Sequence, residues 1–198
     1  MKKALVLLVC LLVFTSCGGN EWTPGEYISY AELPETYSLA DAKADHCVVF
    51  EDSDITSGQA AWDDFLAKTQ AGEPCMVRLA FHYTLGDPSQ YSPELYEEMK
   101  DEYPKIFIRD LSFDGNQYIL YYVERYTEYS FEYEHLKRFE GTPSSETATF
   151  SSYVKYALVH DPNVTWEQIE KGLVSSQFGA WIDYQEVYSD YTYKNDDA

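Results

Sequence analysis

Carboxylates outnumber basic side chains by 34 to 14 in this chain of 198 residues. Four histidines and four cysteines stand among them, so acid–base, metal and thiol chemistry can each be tested against spacing. His46, His82, His135 and His160 occur singly, without the short pair spacing that brings two imidazoles onto one zinc ion. The acidic turn Asp52-Ser53-Asp54 sets two carboxylates close together, as a calcium loop does. Gly58, however, stands at the seventh position from Asp52 instead of the sixth, and the later ligands are missing. Asp52 and Asp54 therefore read better as a solvated loop ahead of a helix N-terminus. A glycosidase needs two carboxyl groups roughly 5–9.5 Å apart. A chain this acidic contains many pairs and singles out none. No Gly-x-Ser-x-Gly elbow, phosphate loop or dinucleotide fingerprint occurs, and no cofactor is expected.

The cysteines divide by context. Cys10 lies in an apolar run from Ala4 to Phe14 that follows Lys2 and Lys3 and ends on Thr15 and Ser16, the three-part order of a secretory signal. That run holds 11 residues, short of the ~20 that cross a bilayer. Phe14-Thr15-Ser16-Cys17 resembles the lipobox of bacterial lipoproteins, with Phe14 where the pattern prefers Leu, Val or Ile. The resemblance implies a signal peptide over residues 1–16, a diacylglycerol on the thiol of Cys17, and a chain anchored on the outer face of the cell membrane. Two acyl chains hold a protein far more firmly than one. Residues 17–35, rich in Gly, Pro and Glu, then read as a flexible tether. Cys47 and Cys75 remain; outside the membrane they either form a disulfide or persist as two buried thiols, and spacing leaves both open.

A net charge of −20 repels nucleic acid and anionic head groups. Nucleic-acid binding is excluded on that ground, and cations, basic proteins and neutral ligands such as glycans are the partners left. Residues 36–194 suffice for one domain. Tyrosine is abundant, with 19 in the chain, and its large ring with a polar tip suits half-exposed sheets and recognition surfaces alike.

The elements that must position these residues follow from periodicity. His46 to Phe50 predicts a short strand. Thr56-Ser57-Gly58-Gln59 reads as a capping box that opens a helix with Trp62, Phe65 and Leu66 on one face. Met76 to Thr84 alternates as a strand with one buried side, Val77, Leu79, Phe81 and Tyr83. Ser92-Pro93 starts an acidic, solvated helix. Lys105 to Phe113, Asp114-Gly115 and Gln117 to Arg125 form a hairpin, and a strand through Tyr129, Phe131 and Tyr133 continues it. Tyr153 to His160 is a further strand, Thr165-Trp166-Glu167-Gln168 caps another helix, and Trp181 to Tyr188 is the last strand. The sum is an α+β fold, an antiparallel meandering sheet with about three helices packed on it. Tyr118 and Tyr122 share one strand face, and Tyr129 and Tyr133 continue along the next strand. They form either an aromatic binding surface or an ordinary core face with its exposed margin.

Cys47-Val48-Val49-Phe50, Gly58 with Trp62 and Phe65, Val77-Arg78-Leu79, Tyr83-Thr84 with Gly86-Asp87-Pro88, and Asp110-Leu111 with Asp114-Gly115 give the region from Ser38 to Ser176 its likeness. It resembles a domain-of-unknown-function family of lipoproteins and secreted proteins from Gram-positive bacteria. The likeness implies a shared fold and carries no substrate. The expectation is a binding or interaction module at the cell envelope, held to the membrane through Cys17 and meeting a glycan or protein. The competing reading is an envelope hydrolase acting through a carboxylate pair.

Overall fold

The computed structural model describes residues 26–143, 145–177 and 179–194. The apolar run, Cys17 and the first part of the tether lie outside them. From residue 26 onward the chain is already part of the domain. Tyr27, Tyr30 and Leu33 pack beside a buried cluster, and Tyr30 donates its hydroxyl to the carbonyl of Ile108 at 3.2 Å. A tether reaching residue 35 is therefore too long, because aromatic rings that find an apolar sheet face bury themselves there.

Helix α1 (Leu39–Ala44) begins at a capping box made by Ser38 and Asp41. Strands β1 (Val48–Glu51) and β2 (Asp54–Ser57) pair through a two-residue turn in which Asp52 and Ser53 both have positive φ. Helix α2 (Gln59–Gln70) follows, but not from a Thr56 cap. Thr56 belongs to β2, and its hydroxyl bonds Glu51. The N-cap is Gly58 with φ of 79°, and a Cβ there would lie 2.1 Å from the Cys47 carbonyl oxygen. Only glycine fits the reversal that lays α2 back on the sheet.

Strand β3 (Cys75–Tyr83) pairs in parallel with β1, so α2 is the crossover of a parallel unit. Helix α3 (Pro93–Met99) starts at Ser92 with proline in the first turn and contributes no buried side chain. An antiparallel meander runs from β3 through β4 (Lys105–Phe113), β5 (Tyr118–Glu124) and β6 (Thr127–Tyr133). The β4–β5 turn sits one residue later than the Asp-Gly signal suggests. Asp114 and Gln117 bond across it, and Gly115 takes the positive φ of the first central position. The larger sheet has the order β2-β1-β3-β4-β5-β6.

A second sheet holds β7 (His135–Gly141), β8 (Phe150–Val159) and β9 (Tyr184–Tyr193), all antiparallel, with helix α4 (Trp166–Val174) entering from the Thr165–Gln168 capping box. The α+β class stands, but the single antiparallel meander does not: there are two sheets, one of them mixed, and four α-helices among the described residues. Strand existence is a local property, whereas the choice of partner belongs to whatever covers each face.

The main core joins both sheets. Phe50, Leu79, Leu111 and Leu120 from the larger one meet Trp62 and Phe65 of α2 and Tyr156, Leu158 and Tyr188 of the smaller one. α4 covers the other face of the smaller sheet with Trp166 and Ile169. The back of the larger sheet is buried too, under α1 and the segment from Tyr27 to Leu39. β3 accordingly has two buried sides, not one; Arg78 and Ala80, read from alternation as its exposed face, are wholly inaccessible.

Replacing Gly58 with alanine is expected to cost more than the about 1–2 kcal/mol of a left-handed non-glycine residue alone, because the added methyl also meets the Cys47 carbonyl. A urea titration of Gly58→Ala against the parent checks it; an unchanged midpoint would refute this account of the α2 start.

Candidate functional site

The two thiols do not meet. Strand alternation sends Cys47 to the back of the larger sheet, with Val49 and Ala80, and Cys75 to the main core in front. Both are free. Burial pushes each thiol up to about 11, so neither is an activated nucleophile at neutral pH. The acidic turn is also engaged otherwise. The two carboxylate oxygens of Asp52 accept from the backbone N–H and hydroxyl of Thr84, at 2.8 and 2.7 Å, which ties the β1–β2 turn to the end of β3. Asp54 opens β2 opposite Glu51. Among the described residues no group of three or more His, Cys, Asp or Glu side chains is arranged to hold a metal ion.

The tyrosines behave differently. Tyr118 lies opposite Tyr133 and Tyr122 opposite Tyr129, so all four share one face of the β5–β6 pair. That face is graded. Tyr133 is buried and Tyr118 packs on Phe113 and Phe65, while Tyr122 is half-buried and Tyr129 is exposed. The inner pair is core, and the outer pair opens into something larger.

That larger feature is a row crossing five strands. Phe50 of β1 stacks on Phe81 of β3, with centroids 4.6 Å apart and planes within 9°, and Tyr122 of β5 stacks on Tyr129 of β6 at 5.1 Å. Between the two stacks lies Arg109 of β4, its guanidinium carbon 5.1 Å from both the Phe81 and the Tyr122 ring centres. A cation held over one aromatic face is worth roughly 0.5–2 kcal/mol, and here two faces hold it.

Above this row runs β9. One residue too many on that strand, Val187, produces a bulge opposite Tyr156 and Ala157 and turns both Val187 and Tyr188 into the main core. A cleft of about 330 Å³ remains between β9 and the row, lined by Ser53, Phe81, Tyr83 and Arg109 on one side and by β9 on the other, where Glu186, bonded to Lys155 and Ser189, is its one carboxylate. It has the aromatic walls and few convergent polar groups of a small-ligand site.

Arg109 is unusual among the cations. Arg78 makes a bidentate pair with Asp110 at 2.7 and 2.8 Å, and Lys155 gives its ammonium to Tyr191, Ser189 and Glu186. Lys68 and Lys105 have carboxylates, and Lys137 has two backbone carbonyls. Of the buried and half-buried basic residues described, Arg109 alone has rings but no oxygen acceptor. Arg109 does not stand out as a candidate when only strand periods are read; the signal was a charge in phase with Phe107, Leu111 and Phe113.

A separate cluster lies where the sheets join. Glu134 approaches His160 Nδ1 at 2.6 Å, Asp183 approaches Nε2 at 3.4 Å, and buried Tyr133 donates to Asp183 at 3.0 Å. The hydrogen bond that His160 donates to Glu134 raises His160 above its ordinary pKa and lowers Glu134.

Compared with known proteins, the chain matches no family model, no curated protein and no solved structure.

Because the folded pKa of His160 is raised, its contribution to stability is fully present below the ordinary value of 6.5 and is lost as pH rises through the folded value. Urea midpoints measured across that window are expected to fall for the parent and not for His160→Gln. Equal slopes in the two proteins would show that the cluster does not couple folding to pH.

Proposed function

We propose that this protein is a binding module of the bacterial cell envelope, held on the outer face of the membrane through lipid on Cys17, with the ring-lined cleft as its recognition surface. The observation that carries this reading is the row Phe50-Phe81-Arg109-Tyr122-Tyr129. Arg109, a cation with no acceptor among the described residues, sits in it and lines a cleft whose other walls are rings, small polar groups and the Lys155-bound Glu186. Stacking surfaces beside hydroxyls and amides suit sugar rings, which present apolar C–H faces and polar edges. The anchor rests on the Lys2-Lys3 start, the short apolar run and Phe14-Thr15-Ser16-Cys17. Kinship with Gram-positive lipoproteins of the resembling family is part of the same proposal. No helix among the described residues is long and apolar enough to cross a membrane.

One arrangement favours the hydrolase reading. Glu134 and Asp183 flank a single histidine, so two carboxylates with different surroundings stand together. The cluster lines neither the cleft nor any of the other hollows described, and both acids are well exposed. On this reading Glu134→Gln would abolish product release from a cell-wall substrate; on the binding reading no product forms with either protein.

The cleft is tested with Tyr83→Ala, an exposed ring of its lining, and Phe107→Ala, the exposed ring 6.0 Å from it. A bound glycan present at a hundred times its dissociation constant is expected to raise the parent's melting midpoint by about 5–10 °C. Each variant is expected to lose that shift while melting within a few degrees of the parent alone. Flat melts of the parent across glycans and cell-wall fragments would sink the reading.

The anchor is tested with Cys17→Ser. Labelled fatty acid is expected in the parent and absent from the variant, with the variant shed from membranes. Unchanged labelling and fractionation would overturn it.

A further inference from the structure

We propose that Arg109 is a carboxylate anchor and that the cleft takes a sugar carrying one acidic group, such as a uronic or muramic acid; this rests on the cleft being the binding site. The geometry leaves the guanidinium little else to do. The rings of Phe81 and Tyr122 flank it, each with its centre 5.1 Å from the guanidinium carbon. A guanidinium has five N–H donors, all in its own plane. None of those donors has an acceptor among the described residues, so they remain for a ligand in the cleft.

A planar carboxylate matches the guanidinium edge with two parallel hydrogen bonds. The contrast with Arg78 shows the principle inside the same molecule. One strand over, on the opposite face, an equivalent fork is closed by Asp110 through Nε and Nη2. Arg109 has the same fork and no Asp.

Charge selects further. The protein carries −20, so a dianionic phosphate is opposed about twice as strongly at long range as a single carboxylate. The remaining cleft wall suits the rest of a pyranose. The exposed ring of Tyr83 offers a stacking face, and Ser53 and Gln185 offer donors and acceptors for ring hydroxyls. About 330 Å³ lies at the small end of ligand sites, which fits one sugar unit or a chain end.

The test uses the full chain in detergent and matched probes that differ only at the acid. Calorimetric titration compares glucuronate with glucuronamide, and N-acetylmuramate with its lactyl amide. At least one acid is expected to bind tenfold or more tightly than its neutral partner, the scale of hydrogen bonds to a charged group. In Arg109→Gln that preference is expected to vanish, acid and neutral partner then binding equally, and Arg109→Lys is expected to restore only part of it because a point charge cannot make the fork. The matched probes on the parent decide the matter even where a variant fails to fold. Equal binding of acid and neutral partners overturns the carboxylate anchor and leaves the binding module standing. Tighter binding of glucose 6-phosphate than of either acid overturns it in favour of a phosphate. No binding of any probe, acid or neutral, by the parent overturns both.

Discussion

The back of the larger sheet is organised by a buried ion pair. Arg78 and Asp110 face each other on neighbouring central strands, β3 and β4, and water does not reach the arginine. An ion pair in such a place repays its desolvation only when its hydrogen bonds are well made, and removing one partner typically costs about 3–5 kcal/mol. The pair therefore demands a cover that is itself polar in the right places. Ile28 supplies a carbonyl at 2.9 Å and Tyr27 a ring face 5.2 Å from the guanidinium carbon. That requirement draws the segment after residue 25 onto the sheet and makes it part of the domain. It also lets α1 close over Cys47, Val49 and Ala80, giving the sheet a second dry face.

The same strand period that aims Asp110 backward aims Arg109 forward. Two adjacent residues of β4 thus have opposite fates: one is spent on holding the molecule together, and the other enters the aromatic row with its donors unspent. Lys155 marks a third outcome, a buried cation with three rings and three acceptors, and its bonds to Glu186 and Ser189 depend on the β9 bulge. Ring-lined cations are thus a repeated device in this tyrosine-rich chain. What distinguishes the cleft is the missing oxygen, since an arginine fork without an acceptor is the feature a ligand can complete.

Much of the fold is visible in the residues. Ser92-Pro93 and the Thr165–Gln168 box start helices where expected, and Tyr118, Tyr122, Tyr129 and Tyr133 do share a face, because capping and alternation are settled within a few residues. The failures have a common cause. Thr56 looks like a cap but is drawn into β2, leaving Gly58 to begin α2; Cys47 and Cys75 each look inward, yet toward different cores; and the four tyrosines split into a buried half and an open half. In each case a second element, absent from the local stretch, decides the outcome.

By itself the sequence determined the strongly acidic charge, the helix starts at Ser92 and Thr165 and the two-residue period of the strands. These depend on composition or on neighbours in the chain. Only the tertiary structure decided that β1 runs parallel to β3, that two sheets share one core, that the thiols stay apart, and that Arg109 stands between two rings with no carboxylate bonded to it among the described residues. Those facts depend on which faces meet across long stretches of chain, and a strand's alternation says which side a residue takes but not what waits on that side.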